Sequence, residues 1–304
     1  MKKALGIDIG GTKISYCIVN ENGEIISEIK KKKTPDTAED IFKLLKEIAQ
    51  ENNAEINGIG IATAGAVNID NTRVMSSTPN LPDGYKNIDF SLLSDKKVFV
   101  ENDANAAVWA EYKCGAAKNT DYTLIITLGT GIGAGLVADN KLYRGKSGAA
   151  LEAGSMKIFA DKRQKCTCGR YDCWESYASG TGLKNCARSM AKSSIYFKTS
   201  FLSHKNPDDL TSYDVIEGVK KNDEFSKKVF EQWEEYIYVG LVSLTDIFDP
   251  ACIVISGGMG EFVNIKKLEE KVNEELVVPS TKIKLAEMKN NAGMVGAALL
   301  AIKD

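Results

Sequence analysis

The run Val98-Phe99-Val100-Glu101-Asn102-Asp103 carries an apolar strand into a carboxylate where a helix from Ala104 to about Tyr112 begins. An alcohol hydroxyl is a poor nucleophile at neutral pH. Moving a phosphoryl group onto it needs a carboxylate that accepts its proton; the rest is positioning and charge neutralisation. Asp103 has the placement for that base, because a strand end is rigid enough to aim a side chain across a cleft. An aspartate there can equally be an ordinary helix N-cap. Position alone leaves both readings open.

Such a base needs a phosphate to face, and three glycine turns offer one. In the first, Gly10 and Gly11 let backbone approach a phosphate, Thr12 and Lys13 add a hydroxyl and a positive charge, and Asp8 can hold magnesium through water. A glycine pair can also do no more than close a hairpin. The second turn, around Gly129, Thr130 and Gly131, repeats the grammar between TLIITL and GLVA, so two facing turns can clamp one polyphosphate. The third follows ACIVIS, where Gly257 and Gly258 would admit a flat adenosine. Gly129, Gly131 and Ala134 also satisfy G-x-G-x-x-A, with Glu152 about 20 residues on, as in dinucleotide sites. That fingerprint must open a helix, and here a strand and hairpin follow, which excludes the nicotinamide reading. No G-x-x-x-x-G-K-[ST] loop is present.

The elements that must position these residues come in two similar sets. Residues 4–30 read as strand ALGIDI, turn GGTK, strand ISYCIV, an Asn22-Gly23 turn and strand EIISEI. Residues 123–144 repeat that meander, ending in an Asp139-Asn140 turn and LYR. A slide of 119 residues sets Gly10 on Gly129 and Ile18 on Val137, so the chain reads as two related halves. Ile41, Leu44, Leu45 and Ile48 mark one face of a helix, followed by strand INGIGIAT, giving an α/β lobe that closes near residue 117. Residues 185–225 are polar and weakly periodic. A helix over 226–248 follows, with Val229, Phe230, Trp233, Tyr236, Ile237 and Leu241 as its buried stripe. The last segment, AGMVGAALLAIK, reads as an Ala-rich helix packing back on the first lobe. No low-complexity stretch intervenes, so the lobes meet at a hinge and not through a tether.

Composition fits this picture. With 304 residues, 43% apolar and 26% charged, the chain can bury the cores of two ordinary lobes. A net charge of −2 gives no general attraction for nucleic acid or an anionic membrane, and Lys30 to Lys33 read as solvated strand-end surface. Asp8 and Lys13 interrupt the stretch a signal peptide would need, and no run of about 20 apolar residues follows. A cytoplasmic protein is expected. Of seven cysteines, Cys166, Cys168 and Cys173 crowd together, which favours metal or free thiols over disulfides.

Together these residues resemble the ROK family of sugar kinases and repressors. The likeness rests on DIGGTK (8–13), TPNLP (78–82), ENDANAA (101–107), LGTGIGAGLV (128–137), SGAALEAGSM (147–156), CTCGRYDCWES (166–176) and ISGG (255–258). It implies an α/β, two-lobed actin-like (RNase H-like) ATPase fold with an interlobe cleft and hinge. Residues 1–117 would form one lobe with helix 291–304 packed back on it. Residues 118–290 would form the other, carrying ATP, the cysteine cluster and the surface of a homodimer. It implies transfer of the ATP γ-phosphate, with Mg2+, to the 6-hydroxyl of a hexose or N-acetylhexosamine, glucose or N-acetylmannosamine above all, with Asp103 as general base. Matching positions imply sugar contacts from Gly65, Thr78, Asn80, Asn102, Glu152 and Glu175. TPNLP followed by DGY looks like the glucose-kinase members.

One departure stands out. The family segment G-E-x-G-H ends in a histidine that joins the three cysteines on zinc and touches the sugar, and here that position is Ser155. The single histidine, His204, lies in the polar stretch, and Asp172 replaces the usual glycine before the third cysteine. Three thiolates lack a fourth ligand for tetrahedral zinc. The sugar-responsive repressors of the family place a DNA-binding module before the first glycine turn, and Asp8 lies almost at the chain start, which points away from that role. Retention of Asp8, Lys13, Asp103 and Thr130 points away from a pseudokinase.

Overall fold

The computed structural model describes residues 1–76 and 80–302. In chain order the elements are β1 (Lys3–Ile9), β2 (Lys13–Asn20), β3 (Lys30–Lys33), α1 (Ala38–Asn52), β4 (Gly58–Thr63), β5 (Ala66–Val67), β6 (Val74–Ser76), β7 (Lys97–Asn102) and α2 (Asp103–Cys114). There follow β8 (Thr123–Leu128), β9 (Ile132–Ala138), β10 (Lys141–Leu142), α3 (Glu175–Ala178), α4 (Gly180–Ala191), α5 (Ile195–Thr199), α6 (Ser212–Lys220), α7 (Glu224–Phe248), β11 (Cys252–Ser256), α8 (Ile265–Glu275), β12 (Lys282–Leu285) and α9 (Ala292–Ala301).

Two five-stranded sheets have the orders β3-β2-β1-β4-β7 and β10-β9-β8-β11-β12. Each opens with an antiparallel meander and continues with parallel strands, so the pairings match one for one. The two related halves expected from the repeat are therefore two sheets of one topology. Register refines the repeat. Ile9 pairs with Ile14 and Leu128 with Ile132, leaving four residues (10–13) in the first turn and three (129–131) in the second. Leu5 and Leu124 are 119 apart, yet they pair with Ile18 and Leu136, which are 118 apart. The counterpart of Ile18 is thus Leu136 and not Val137.

The last helix of each half packs on the other half's sheet. α2 follows the first sheet yet lies against β8 and β9, and α9 follows the second yet covers β1 and β4. The two helices also pack on each other. Their composition reflects this position, because a helix apolar on every side must be buried on every side. All of α9 from Met294 to Ala301 is buried, as is α2 from Ala104 to Tyr112. Small residues permit the contact. A Cβ at Gly296 would sit 1.7 Å from the Ala106 carbonyl, and one at Gly60 would sit 1.9 Å from that of Ala297.

Two expectations change. EIISEI forms no full strand, because Ser27 Oγ accepts the Ile18 N–H at 2.8 Å, taking a ladder position with a side chain. The third strand is instead Lys30–Lys33, all exposed, and a lysine-rich edge discourages pairing with other chains. The polar stretch over 185–225 is largely helical, its periodicity obscured because α4, α5 and α6 are short and separately capped. In α7, Val229, Trp233, Ile237 and Leu241 are buried as expected, with Phe230 and Tyr236 partly so. Among the described residues no helix is long and apolar enough to cross a membrane.

Candidate active site

The junction of β7 and α2 resolves the ambiguity at Asp103. Asn102 is the N-cap: its Oδ1 accepts from the Ala104 and Asn105 N–H groups at 2.9 and 3.2 Å. Its Nδ2 donates to the Gly65 carbonyl at 3.1 Å, joining two of the expected sugar contacts. Asp103 occupies the first helical position, and its Oδ1 accepts from the adjacent Ala104 N–H, at 2.8 Å. The cap being filled by its neighbour, Asp103 is not needed in that role.

Its surroundings are acidic. Asp103 is open to the space between the sheets but crowded by protein, and loss of water is the main influence raising its pKa. The Ala104 N–H opposes that rise, and Glu152, from the second half, adds to it. Asp8, at the end of β1, is pushed up to about 6 by burial first and then by Asp103, with Lys13 pulling the other way. A carboxylate raised by burial and a like charge, beside one cation, is suited to a divalent metal. Mg2+ takes one or two carboxylates and keeps several waters, and Asp8 would hold it in that way.

Around Asp8 the first turn is closed by Gly10 N–H to Lys13 O at 3.0 Å, leaving Gly11, Thr12 and Lys13 exposed. Gly11 must be glycine for a reason not visible in sequence: a Cβ there would sit 2.5 Å from the Asn80 carbonyl. Asn80 is exposed and lies on the first glycine turn. Thr78 falls outside the described residues.

The second and third turns meet. Gly129 N–H bonds Gly131 O at 3.0 Å, and Met259 N–H bonds Leu128 O at 2.9 Å. A Cβ on Gly257, whose φ is +85°, would come 2.3 Å from the Leu128 carbonyl. Gly258 has open space around it, and Thr130 is exposed. The N-terminus of α4 joins them, with Gly180 N–H on Gly129 O at 2.8 Å and Gly180 against Met259. Sequence reasoning missed this element. Its signal was Ser179-Gly180-Thr181-Gly182, a serine cap followed by glycines, just before the stretch read as polar and weakly periodic.

Glu152 is exposed and follows Leu151, whose φ is +62°. Burial raises its pKa, Arg170 opposes the rise and Glu175 adds to it. Glu175 itself is bound from below: Oε2 accepts the Ile132 N–H at 3.0 Å, and Oε1 accepts the Thr167 hydroxyl at 3.2 Å. It thereby ties the second glycine turn to the cysteine loop. A Cβ at Gly131 would strike that carboxylate at 2.3 Å.

The thiols of Cys166, Cys168 and Cys173 lie within 4.8 Å of one another, Cys168 and Cys173 at 3.7 Å. The fourth corner is another matter. Ser155 Oγ accepts from the Arg170 guanidinium at 2.6 Å, so the hydroxyl is already engaged by a fixed cation. His204 bonds the Phe201 carbonyl through Nδ1. This donor set does not close into a four-ligand structural zinc site. Asp172 keeps the left-handed turn, φ +57°, that a glycine would supply. Burial would raise its pKa, but N–H groups of Gln164 and Arg163 and the Tyr177 hydroxyl hold it below the ordinary range.

The comparisons agree with this geometry. A glucokinase of Streptomyces coelicolor is 33% identical over 314 residues, covering 99% of this chain and 98% of that protein. A solved ROK glucokinase from Streptomyces griseus, in complex with glucose and AMPPNP, is 31% identical, with a TM-score of 0.79 over 98% of this chain and 99% of that one. A xylose repressor of Caldicellulosiruptor bescii is 27% identical, covering 99% of this chain and 78% of its own length. The actin-like α/β architecture expected from the motifs is the one found. The ROK family model matches residues 4–304, and the chain is a member of the ROK family.

Proposed function

We propose that this protein is an ATP-dependent sugar kinase that moves the γ-phosphate to the 6-hydroxyl of a hexose, glucose or an N-acetylhexosamine, with Asp103 as general base. The observation that carries this is the transfer of the N-cap role to Asn102, which leaves the Asp103 carboxylate among Asp8, Glu152 and the first glycine turn. The likeness to glucokinases over nearly the whole chain supports the sugar class.

In this reading the sugar lies against Gly65, Asn80, Asn102 and Glu152. The nucleotide lies along Gly10 to Lys13, Gly129 to Gly131, Gly257 and Gly258. As the sugar O6–P bond forms and the bond from the γ-phosphorus to its bridging oxygen breaks, the hydroxyl proton passes to Asp103 and ADP leaves. The raised pKa keeps Asp103 basic enough to receive that proton. Mg2+ supplies charge neutralisation when bound, and Asp8 orients it. Lys13 steadies the phosphates as a point charge. Half-buried acceptors such as Glu175 would discriminate strongly against sugars lacking a matching hydroxyl.

A coupled assay of ADP release across glucose, mannose, N-acetylglucosamine and N-acetylmannosamine tests this. Turnover with at least one is expected, and silence with all overturns it. The xylose-repressor relative motivates the other reading, a sugar sensor. That reading predicts tight sugar binding with no ADP released.

A further inference from the structure

The loop that carries Glu152 and the helix turn that carries Asp103 come from different halves, and one buried ion pair joins them. Arg144 follows β10 on the second sheet, anchored by the Tyr143 N–H to Leu136 O at 2.8 Å. Its guanidinium reaches the first sheet, pairs with Glu101 and donates to Asn71 Oδ1 at 2.9 Å. It also lies over the Phe99 ring, 5.1 Å from the centroid. The Glu101 side chain is 2% exposed and the Arg144 side chain 21%, so the carboxylate is held away from water while the guanidinium keeps a partly open side.

Each partner is wired toward the site. Glu101 Oε1 accepts the Asn102 N–H and the Asn105 side-chain amide, both at 3.0 Å, gripping the first turn of α2 on either side of Asp103. Arg144 O accepts the Ala150 N–H at 3.2 Å, two residues before Glu152. Within the same loop Gly148 lies on β5, since a Cβ there would sit 2.0 Å from the Val67 carbonyl. The loop of the second half is therefore seated on the first half beside the base. The Arg144 fork gives that contact a fixed direction.

We propose that Arg144 is a positioning residue that sets the distance between Asp103 and the Glu152 loop, through Glu101. A planar guanidinium holds a carboxylate and an amide in fixed directions, which an ammonium does not. The proposal rests on the kinase reading above, and its test separates the two.

Compare wild type, R144K, R144M and R144M/E101Q by steady-state kinetics, thermal unfolding and amide hydrogen exchange over residues 102–105. Misplacement by about an ångström lowers catalysis by ~10²-fold, so R144M should lose about that in kcat with KM for ATP little changed. R144K should fall between. R144M leaves Glu101 buried and unpaired, and its melting temperature should drop. R144M/E101Q removes that stranded charge, so stability should return while kcat stays low. That split is one a merely structural role cannot produce. Kinetics of the double variant within twofold of wild type would overturn the proposal. If wild type turns over no sugar, the kinase reading fails on its own. Exchange then decides: faster exchange over 102–105 in both R144M and R144M/E101Q upholds the coupling, and unchanged rates refute it.

Discussion

The two glycine hairpins share one topology and differ in what they store. At the first, Asp8 is crowded by protein, faces Asp103 and is held up to about 6. At the second, the position 119 residues on is Thr127, whose Oγ1 accepts the Gly133 N–H at 3.1 Å. Lys13 closes the first turn, and the second turn, one residue shorter, has only glycines flanking Thr130. The second hairpin carries no charged side chain in its turn, and its backbone is bonded by Glu175, Gly180 and Met259. The first leaves its charges unsatisfied, and that unsatisfied charge is what a metal and a phosphate would relieve. In the proposed reading the two copies divide the work: one would supply shape, the other electrostatics.

Four substitutions can break or sharpen this contrast. The largest effect belongs to D103N, which should lower kcat by ~10³-fold, within the range for a lost general base, while calorimetry shows ATP and sugar still binding. Because Asp103 is one influence raising Asp8, the Asp8 titration should also move toward 3.8 in this variant, read by NMR. Near-normal turnover would remove Asp103 from the role.

D8N should come next, with a loss of about 10²-fold in turnover as the metal loses its carboxylate. It should also stabilise the ligand-free protein. The folded value of about 6 lies above the ordinary 3.8, so the native state holds the proton more tightly than the unfolded chain. Stability is therefore lost as pH rises from about 4 to about 6, and the full loss, at most ~3 kcal/mol for the two units, persists above. D8N should abolish that slope in thermal melts measured between those pH values. A D8N protein no more stable than wild type at pH 7 would refute the stored-charge account.

T130A probes the neutral hairpin and should matter less. One hydrogen bond is worth about 1 kcal/mol, or roughly fivefold in KM for ATP, with no change in the pH dependence of melting. A loss as large as that of D8N would erase the contrast. The smallest effect on turnover is expected from S155H, which supplies a fourth ligand beside Cys166, Cys168 and Cys173. Metal analysis should find more bound zinc in S155H than in wild type, with turnover within about threefold because the base and phosphate turns are untouched. Equal zinc in both proteins would show that Arg170 does not stand in its way.

Some of this was legible because local chemistry forced it. Strand-turn-strand grammar needs only apolar runs and glycines, so both meanders could be read directly, and their spacing gave the repeat to within one residue. Asp103 was visible as a carboxylate at a strand end, but its freedom from the cap was not, since Asn102 and Asp103 are both good cap residues. The helices within 185–225 were missed because they are short and bury narrow stripes. Arg170 and Arg144 were missed for another reason: an arginine on a loop looks like any surface cation until its partner is known.

The sequence by itself determined the elements, the duplicated order, the glycine turns and the set of residues able to do chemistry, because these follow from periodicity, steric freedom at glycine and side-chain type. Only the tertiary structure decided which of them act together. The exchange of α2 and α9 between halves brings Asp103 toward Glu152, and within the first half the fold packs Asn80 on Gly11. Folding also let Arg170 take Ser155 and Arg144 take Glu101, contacts across 15 and 43 residues of chain. No local rule specifies such pairs, because their energy comes from burial and direction that exist only once the lobes are assembled.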